Sequence, residues 1–315
     1  MVGAEQRWRW RRATAAQALF DPRGWRVEKI AFAPARDFVV AHHYAASMPA
    51  CRLTVGLVTP AGELAGVIAF SVPMSQAVIP RLTGLPPEQG VDMGRVVLLD
   101  EVGRNAESWF LARAFACVTA ELPKVRAVVS FSDPVIWEGG PWAPVGHVGT
   151  IYQAHSGRCV GRSRAAWQPL GDQSGRVINR RLRTKFAAGP AEKGYAYAAA
   201  RLAGEFGEKR GGETDREYLD RVMGEAWWVR HTGNHAYAWP IGRGGARGAR
   251  VEARHIAADF PAALPYPKTP DVLQRVKRAP NGQTRPAHEL RGSYARAMRE
   301  PDTSFTGAKR ELYGS

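Results

Sequence analysis

Apolar and polar positions follow recognisable periods through the first half of this chain and lose them in the second. Residues 52–58 alternate as a half-buried strand does, and 64–72 form a second such run. Thr59-Pro60-Ala61-Gly62 between them has turn chemistry, so the pair predicts an antiparallel hairpin. Ahead of it, residues 37–44 predict a short helix ending near Met48-Pro49. Residues 80–90 are rich in Pro and Gly and read as a loop, and 95–99 read as a buried strand. Asn105 is placed to cap the next helix, in which Leu111, Phe115, Val118 and Leu122 recur at helical spacing until Pro123 stops it. The β-branched run 125–131 predicts a central strand.

Beyond Gly161 the signal thins. A basic cluster holds Arg176, Arg180, Arg181, Arg183 and Lys185, and two amphipathic helices are expected near 194–206 and 214–226. Residues 227–239 read as a turn between strands. From Arg243 onward Gly, Arg and Pro dominate, which predicts a partly disordered tail. The expected organisation is a basic arm (1–25), a catalytic domain (26–175), a basic helical and strand extension (176–242) and the tail (243–315), with no internal repeat.

Charge changes the picture. The net charge is +15, which favours an acidic partner, most simply nucleic acid. Arg supplies 36 of the 44 basic residues, a skew that a GC-rich genome also produces. Three scattered cysteines, Cys51, Cys117 and Cys159, make neither a disulfide framework nor a CxxC metal site, and a reducing compartment is expected. No apolar run has the length of a membrane span, and the basic N-terminus lacks the apolar stretch of a signal peptide. A soluble protein of the cytoplasm is the expectation.

The chemistry-bearing residues gather between 92 and 161. Asp133 follows an apolar strand and precedes Pro134, where it reads equally as a proton acceptor at a strand end and as a turn-forming Asp-Pro. Tyr152, in Gly149-Thr150-Ile151-Tyr152-Gln153-Ala154, reads as a proton donor or as a core aromatic. Arg104, Asn105, Ala106 and Ser108 open a helix after a buried strand, a place where backbone N–H groups bind phosphate, although Glu107 adds negative charge there. His42, His43 and Tyr44 stand near a helix end, and adjacent histidines point different ways. Neither His42 nor His43 begins an HxxxH spacing, the PCxxC of a zinc deaminase is absent, and Gly242-Arg243-Gly244-Gly245 lacks the Lys and Ser/Thr of a Walker motif.

Taken in order, several pieces resemble the Mom family of phage DNA-modification proteins. They are His43-Tyr44, the hairpin with Gly66 and Phe70, Arg95-Val96-Val97-Leu98-Leu99-Asp100, Asn105-Ala106-Glu107-Ser108, Val129-Ser130-Phe131-Ser132-Asp133-Pro134, and Gly146-His147-Val148-Gly149 running into Thr150-Ile151-Tyr152-Gln153-Ala154. His231-Thr232-Gly233-Asn234-His235 and Leu264-Pro265-Tyr266-Pro267-Lys268 are similar to later segments of such phage proteins.

The resemblance implies a GNAT-like acyltransferase fold. This is an α+β (mixed α/β) architecture with a central twisted, mostly antiparallel sheet flanked by helices, here with a basic C-terminal extension. It implies transfer of a carbamoylmethyl (glycinamide-like) group to N6 of adenine in DNA, which protects phage DNA from restriction in the bacterial host cell. His43, Tyr44, Asp133 and Tyr152 would be the site residues, and His43 and Asp133 would ligate iron if a metal is used. The donor is either an acyl-CoA or an aminoacyl-tRNA such as glycyl-tRNA, so double-stranded DNA and tRNA are the partners implied; the oligomeric state stays open. Two departures stand out. Residues 135–145 intervene between Asp-Pro and Gly-His, and His155-Ser156-Gly157 replaces an expected aromatic step. The alternatives are an acetyltransferase that uses acetyl-CoA on a protein or small-molecule amine, and a non-catalytic DNA-binding protein on the same scaffold.

Overall fold

A computed structural model describes residues 18–43, 45–138, 146–243 and 246–277. The elements begin with β1 (Arg26–Lys29), α1 (Phe32–His42), β2 (Cys51–Val58), β3 (Leu64–Ser71), α2 (Val78–Thr83), β4 (Gly90–Leu98), α3 (Ala106–Glu121) and β5 (Ala127–Ser132). They continue with β6 (Val135–Glu138), α4 (Thr150–Ala154), β7 (Arg158–Arg162), β8 (Ala166–Leu170), α5 (Arg180–Ala187), α6 (Tyr195–Phe206) and α7 (Asp215–Glu225). The last are β9 (Trp227–His231), β10 (His235–Pro240), α8 (Ala246–Ile256), β11 (Asp271–Gln274) and β12 (Val276–Lys277). They form two compact units, the first from the described residues of 1–132, 149–162 and 235–267, the second from those of 133–148, 163–234 and 268–315. The boundaries expected at 175 and 242 therefore do not coincide with the units. Strand β10 completes the first unit's sheet from far along the chain, and residues 133–148 leave it early.

The first unit is a mixed α/β domain around a seven-stranded sheet of order β1-β2-β3-β4-β5-β10-β7. Every neighbouring pair is antiparallel except β4 and β5. Both faces are covered, which is why its central strands read as nearly continuous apolar runs. Side chains alternate accordingly. Val128, Tyr237 and Trp239 join Phe110, Leu111, Phe115 and Val118 of α3 in the main core. Ala127, Val129, Ala236 and Ala238 face the other way, toward Ile79 and Leu82 of α2. Helix α1 covers Val67 and Val97 with Ala35 and Val39. Truncating a fully buried ring such as Phe110 would cost about 3–5 kcal/mol.

The hairpin and the long helix α3 lie where the periodicity predicts them. Three local expectations change. Helix α1 begins at Phe32, five residues before the predicted start at 37. The loop expected over 80–90 contains α2 and a 3-10 turn, Pro87–Gln89. Pro80 sits in the first turn of α2, where a missing N–H costs little, and Gly84 ends that helix at φ 73°. Asn105 does occupy the cap position of α3, but at φ 69° its side chain makes no capping bond. A capping side chain needs extended backbone to reach the N–H groups of the next turn.

The second unit holds a three-stranded antiparallel sheet, β12-β9-β8, and a parallel pair, β11-β6. Residues 227–239 thus contain two strands that share no ladder, because β9 pairs here while β10 belongs to the first unit. Helices α5, α6 and α7 pack through Leu182, Phe186, Ala198, Leu202, Tyr218 and Val222. Asn179 caps α5 by accepting from the Leu182 N–H (2.8 Å), and Thr214 with Glu217 forms a capping box on α7. The tail expected from 243 is structured as far as Lys277, and 278–315 lie outside the described residues. Among the described residues no helix is long and apolar enough to cross a membrane.

Candidate functional site

In the first unit the site grows from an opening in the sheet. Strands β4 and β5 pair in parallel over three positions, Gly90↔Ala127, Val91↔Val128 and Asp92↔Val129, and no further. On its other edge β4 slips register against β3 between Met93 and Arg95, which leaves Gly94 as the extra residue of a bulge. A Cβ at Gly94 would stand 2.5 Å from Ser71 Oγ, so the approach is too tight for any other residue without movement. Where the two strands part, the Ser130 hydroxyl donates to the Met93 carbonyl (2.9 Å) in place of a ladder bond.

Three side chains at this opening carry chemistry. Tyr152, on the short helix α4, is 6% exposed and packs edge-on against Tyr237 (5.4 Å) and Trp239 (5.6 Å). Burial raises its phenol above the ordinary value, partly opposed by a hydrogen bond with Ser130; Asp92 adds to the rise and Arg95 subtracts from it. Its neighbour Gln153 donates Nε2 to Tyr237 Oη and to the Pro267 carbonyl, both at 3.1 Å, and so pins α4. Asp92 meets the Ser71 hydroxyl at 3.4 Å, while its Oδ1 is buried with no hydrogen-bond partner. Burial pushes its carboxyl up to about 7, against the Ser71 hydroxyl and the Arg95 charge. Arg95 donates Nε to the Ser47 carbonyl (2.9 Å), Nη2 to Ser47 Oγ (3.1 Å) and Nη1 to the Gly94 carbonyl (2.6 Å). It thereby ties the segment after His43 to the bulge.

His43 ends α1, is buried, and accepts the Ala45 N–H at Nδ1 (3.0 Å). Tyr44 lies outside the described residues. Of the four residues expected to hold a donor's phosphate, Ala106 and the backbone of Arg104 are closed off by the chain itself. The Arg104 peptide donates to Ala18 and accepts from Phe20, both at 3.0 Å, and Ala106 is fully buried. Asn105 is exposed and Ser108 half-buried in the first turn of α3. Arg104 Nε is buried without a partner, a donor that an anionic group would satisfy.

Asp133 belongs to the second unit. Its Oδ1 accepts from the Val135 N–H and from His231 Nε2, both at 3.0 Å, and 39% of its side chain is exposed. The Gly233 N–H donates to Nδ1 of His231 (2.9 Å), which places the ring proton on Nε2, toward Asp133. Burial works to raise the Asp133 carboxyl, but the His231 hydrogen bond and charge, the Val135 N–H and His147 outweigh it, and it sits below the ordinary carboxylate value. Burial drives the His147 imidazole down to about 4, against the Asp133 charge. The sequence around His231 gives it no role, since its partner Asp133 lies 98 residues earlier in the chain. Asp92 was not singled out at all, because only strand register reveals where it stands.

The basic cluster divides. Arg176, Arg180 and Arg181 are exposed, whereas Arg183 buries its Nε and Lys185 donates to the Lys193 carbonyl (2.5 Å) beside Glu192. A cleft of about 700 Å³ in the second unit is lined by Asp172, Glu205 and Glu225 but by none of the expected site residues. Glu205 there is satisfied by two backbone N–H groups, Ser174 and Arg201, and reads as structural. His43 and Asp133 belong to different units, and among the described residues no group of three or more His, Cys, Asp or Glu is arranged to hold a metal.

The first unit is thus a mixed α/β domain whose mostly antiparallel sheet opens, at its one parallel pair, beside a buried phenol and a buried carboxyl. The chain belongs to the Mom protein family, whose model matches residues 24–200, more than half of its length. That family is associated with DNA modification in phages. Among solved structures the chain is similar to malonyl-CoA decarboxylase from Rhodopseudomonas palustris, at 14% identity and a TM-score of 0.31, over 78% of this chain and 62% of that one. It therefore spans less than two thirds of that decarboxylase's length. No curated protein matches it.

Proposed function

We propose that this protein modifies adenine at N6 in double-stranded DNA, adding a carbamoylmethyl group that protects the DNA from restriction. Family membership over 24–200 carries the reading. The reading places this chemistry on a GNAT-type acyltransferase scaffold, whose site would lie where the single parallel pair, β4 and β5, separates after three residues beside a bulge. The net charge of +15 and the exposed Arg176, Arg180 and Arg181 support a polyanionic substrate, held with strong salt dependence.

An adenine amine inside a duplex is out of reach, so the base is extruded at a cost of a few kcal/mol. Its lone pair is delocalised into the ring, so the protein must remove a proton as the new bond forms. Tyr152, kept protonated by burial, is suited to give a proton to a leaving group. Asp92 is suited to take one up near neutral pH. Asp133, kept ionised and oriented by His231 within the second unit, is suited to hold a cationic group. His43, with Tyr44 beside it in the chain, would orient the base. Arg104, Asn105 and Ser108 would hold the phosphate of an acyl-CoA or an aminoacyl-tRNA such as glycyl-tRNA; attack of N6 on its thioester or ester carbon would form an N–acyl bond and release the CoA thiol or the tRNA hydroxyl, and the glycyl product is an isomer of the carbamoylmethyl group, to whose N–CH2 linkage it must still rearrange. No step is assigned to a metal.

The test is nucleoside mass spectrometry on DNA from cells that express the wild type, Asp133→Ala or Tyr152→Phe. The expected result is a heavier deoxyadenosine with the wild type and little or none with the variants. Unmodified DNA from cells containing soluble wild-type protein would overturn the reading.

A further inference from the structure

Helix α8 contains three arginines, one histidine and one carboxylate, Glu252, in eleven residues. At 100° per residue it divides into two faces. Ala249, Glu252, Ala253 and Ile256 make the inner one. Ile256 packs against the cluster of Ile79, Leu82 and Phe260, and Glu252 accepts the Arg243 N–H (2.5 Å) and pairs with Arg126 (3.4 Å). Gly242 lies so close beneath the helix that a Cβ there would stand 2.1 Å from the Ala249 carbonyl. Just past the C-terminal end, Arg158 donates to the Ala257 carbonyl (2.7 Å). The helix is therefore seated on the first unit by specific contacts.

The outer face holds Arg247, Arg250, Val251, Arg254 and His255, all exposed, and no acidic residue of the helix. Arg247, Arg250 and Arg254 fall within about 60° of one another and span roughly 10 Å along the axis. One strand of a duplex carries a phosphate about every 3.4 Å of helix axis, so the row matches about three phosphates.

We propose that the outer face of α8 is a DNA-backbone contact of the first unit, in which Arg247, Arg250 and Arg254 each take a phosphate of the duplex. The inference rests on the reading that the substrate is DNA and adds a surface that the basic cluster of 176–185 does not include. A rigid helix presents its guanidinium groups already aligned, so less side-chain freedom is lost on binding than in a loose tail.

The experiment compares the full-length wild type with the triple variant Arg247→Gln, Arg250→Gln, Arg254→Gln. Binding to a fluorescent 20-base-pair duplex is measured from low to high salt, and bulk tRNA is measured in parallel. Circular dichroism checks that both proteins are folded. The expected result is a log K against log salt slope shallower by about 3 for the duplex, one ion released per lost contact. A slope equal to that of the wild type would overturn the inference, as would a loss confined to tRNA or a wild type without salt-dependent duplex binding. Nucleoside masses from cells expressing the same pair separate this failure from failure of the functional reading. A modified deoxyadenosine together with an unchanged slope removes the α8 contact and leaves the chemistry standing.

Discussion

Replacing Asp92 by Asn tests the site without assuming its chemistry. The side chain keeps its shape but cannot ionise. In the folded protein the Asp92 carboxyl sits at about 7, against 3.8 for the ordinary group. Because the folded value is the higher one, the folded state holds this proton more tightly. Its stabilising effect is complete below the unfolded value and is lost as pH rises through about 7. The difference corresponds to about 4 kcal/mol against the folded state once the group is fully ionised, as an upper figure. An Asn leaves amide donors to be satisfied in the same place, at about 1–3 kcal/mol. The variant is therefore expected to be level with or below the wild type at pH 5. At pH 8 it should gain about 2–4 kcal/mol relative to that position. Urea denaturation of both proteins at both pH values reads this, provided the m-values agree. A wild-type-to-variant gap that is the same at pH 5 and pH 8 would refute the argument. The same variant should lose DNA modification, so stability and activity would move in opposite directions.

Two other substitutions probe the supporting geometry. Gly149 sits at φ 73°, and a Cβ there would stand 2.7 Å from Tyr237 and 2.8 Å from Tyr152, so Gly149→Ala should cost about 1–3 kcal/mol in urea denaturation and displace Tyr152; an unchanged midpoint would show that the α4 turn is loosely held. His231→Phe removes a buried donor to Asp133 and should cost about 1–3 kcal/mol at pH 7. Asp133 has a depressed folded value, so its contribution is present above the unfolded value and fades as pH falls through the folded one; the deficit should shrink as pH falls below the ordinary value of 3.8, and a deficit that stays constant through acid unfolding would contradict the pairing.

What could be read from the residues depended on how local the cause was. The hairpin β2–β3 and helices α3, α6 and α7 have apolar positions at regular spacing and clear stop residues, and they were legible. Helix α5 was not, because Leu182 and Phe186 are its only buried anchors among basic residues. Helix α2 was masked by Pro80, and α8 by glycine and arginine, with Ile256 alone marking its inner face. The division into units was invisible because β10 pairs with β5 across about a hundred residues, and nothing near residue 235 announces it. In the site, His43, Asp133 and Tyr152 stood out through their strings. Asp92 did not, because its importance comes from being the last residue of the short β4–β5 ladder.

We propose that the opposite environments of the two carboxylates give them different work. Asp133 has an imidazole N–H and a backbone N–H on one oxygen and stays charged. Such a group orients or attracts a cation, but it returns a proton too readily to serve as a base near neutrality. Asp92 has one distant hydroxyl and an oxygen with no partner, and it changes charge in the range where a proton acceptor must act. Environments that push two similar groups apart are how acid and base roles are usually separated. If Asp133 were the acceptor, Asp133→Asn would abolish turnover, and the lower limb of the pH–rate profile would follow Asp133. On the assignment reached here, that limb lies near pH 7 in the wild type and keeps its position in Asp133→Asn, whose loss appears as weaker substrate binding. A limb that stays near pH 7 in a residually active Asp92→Asn would return the proton to Asp133.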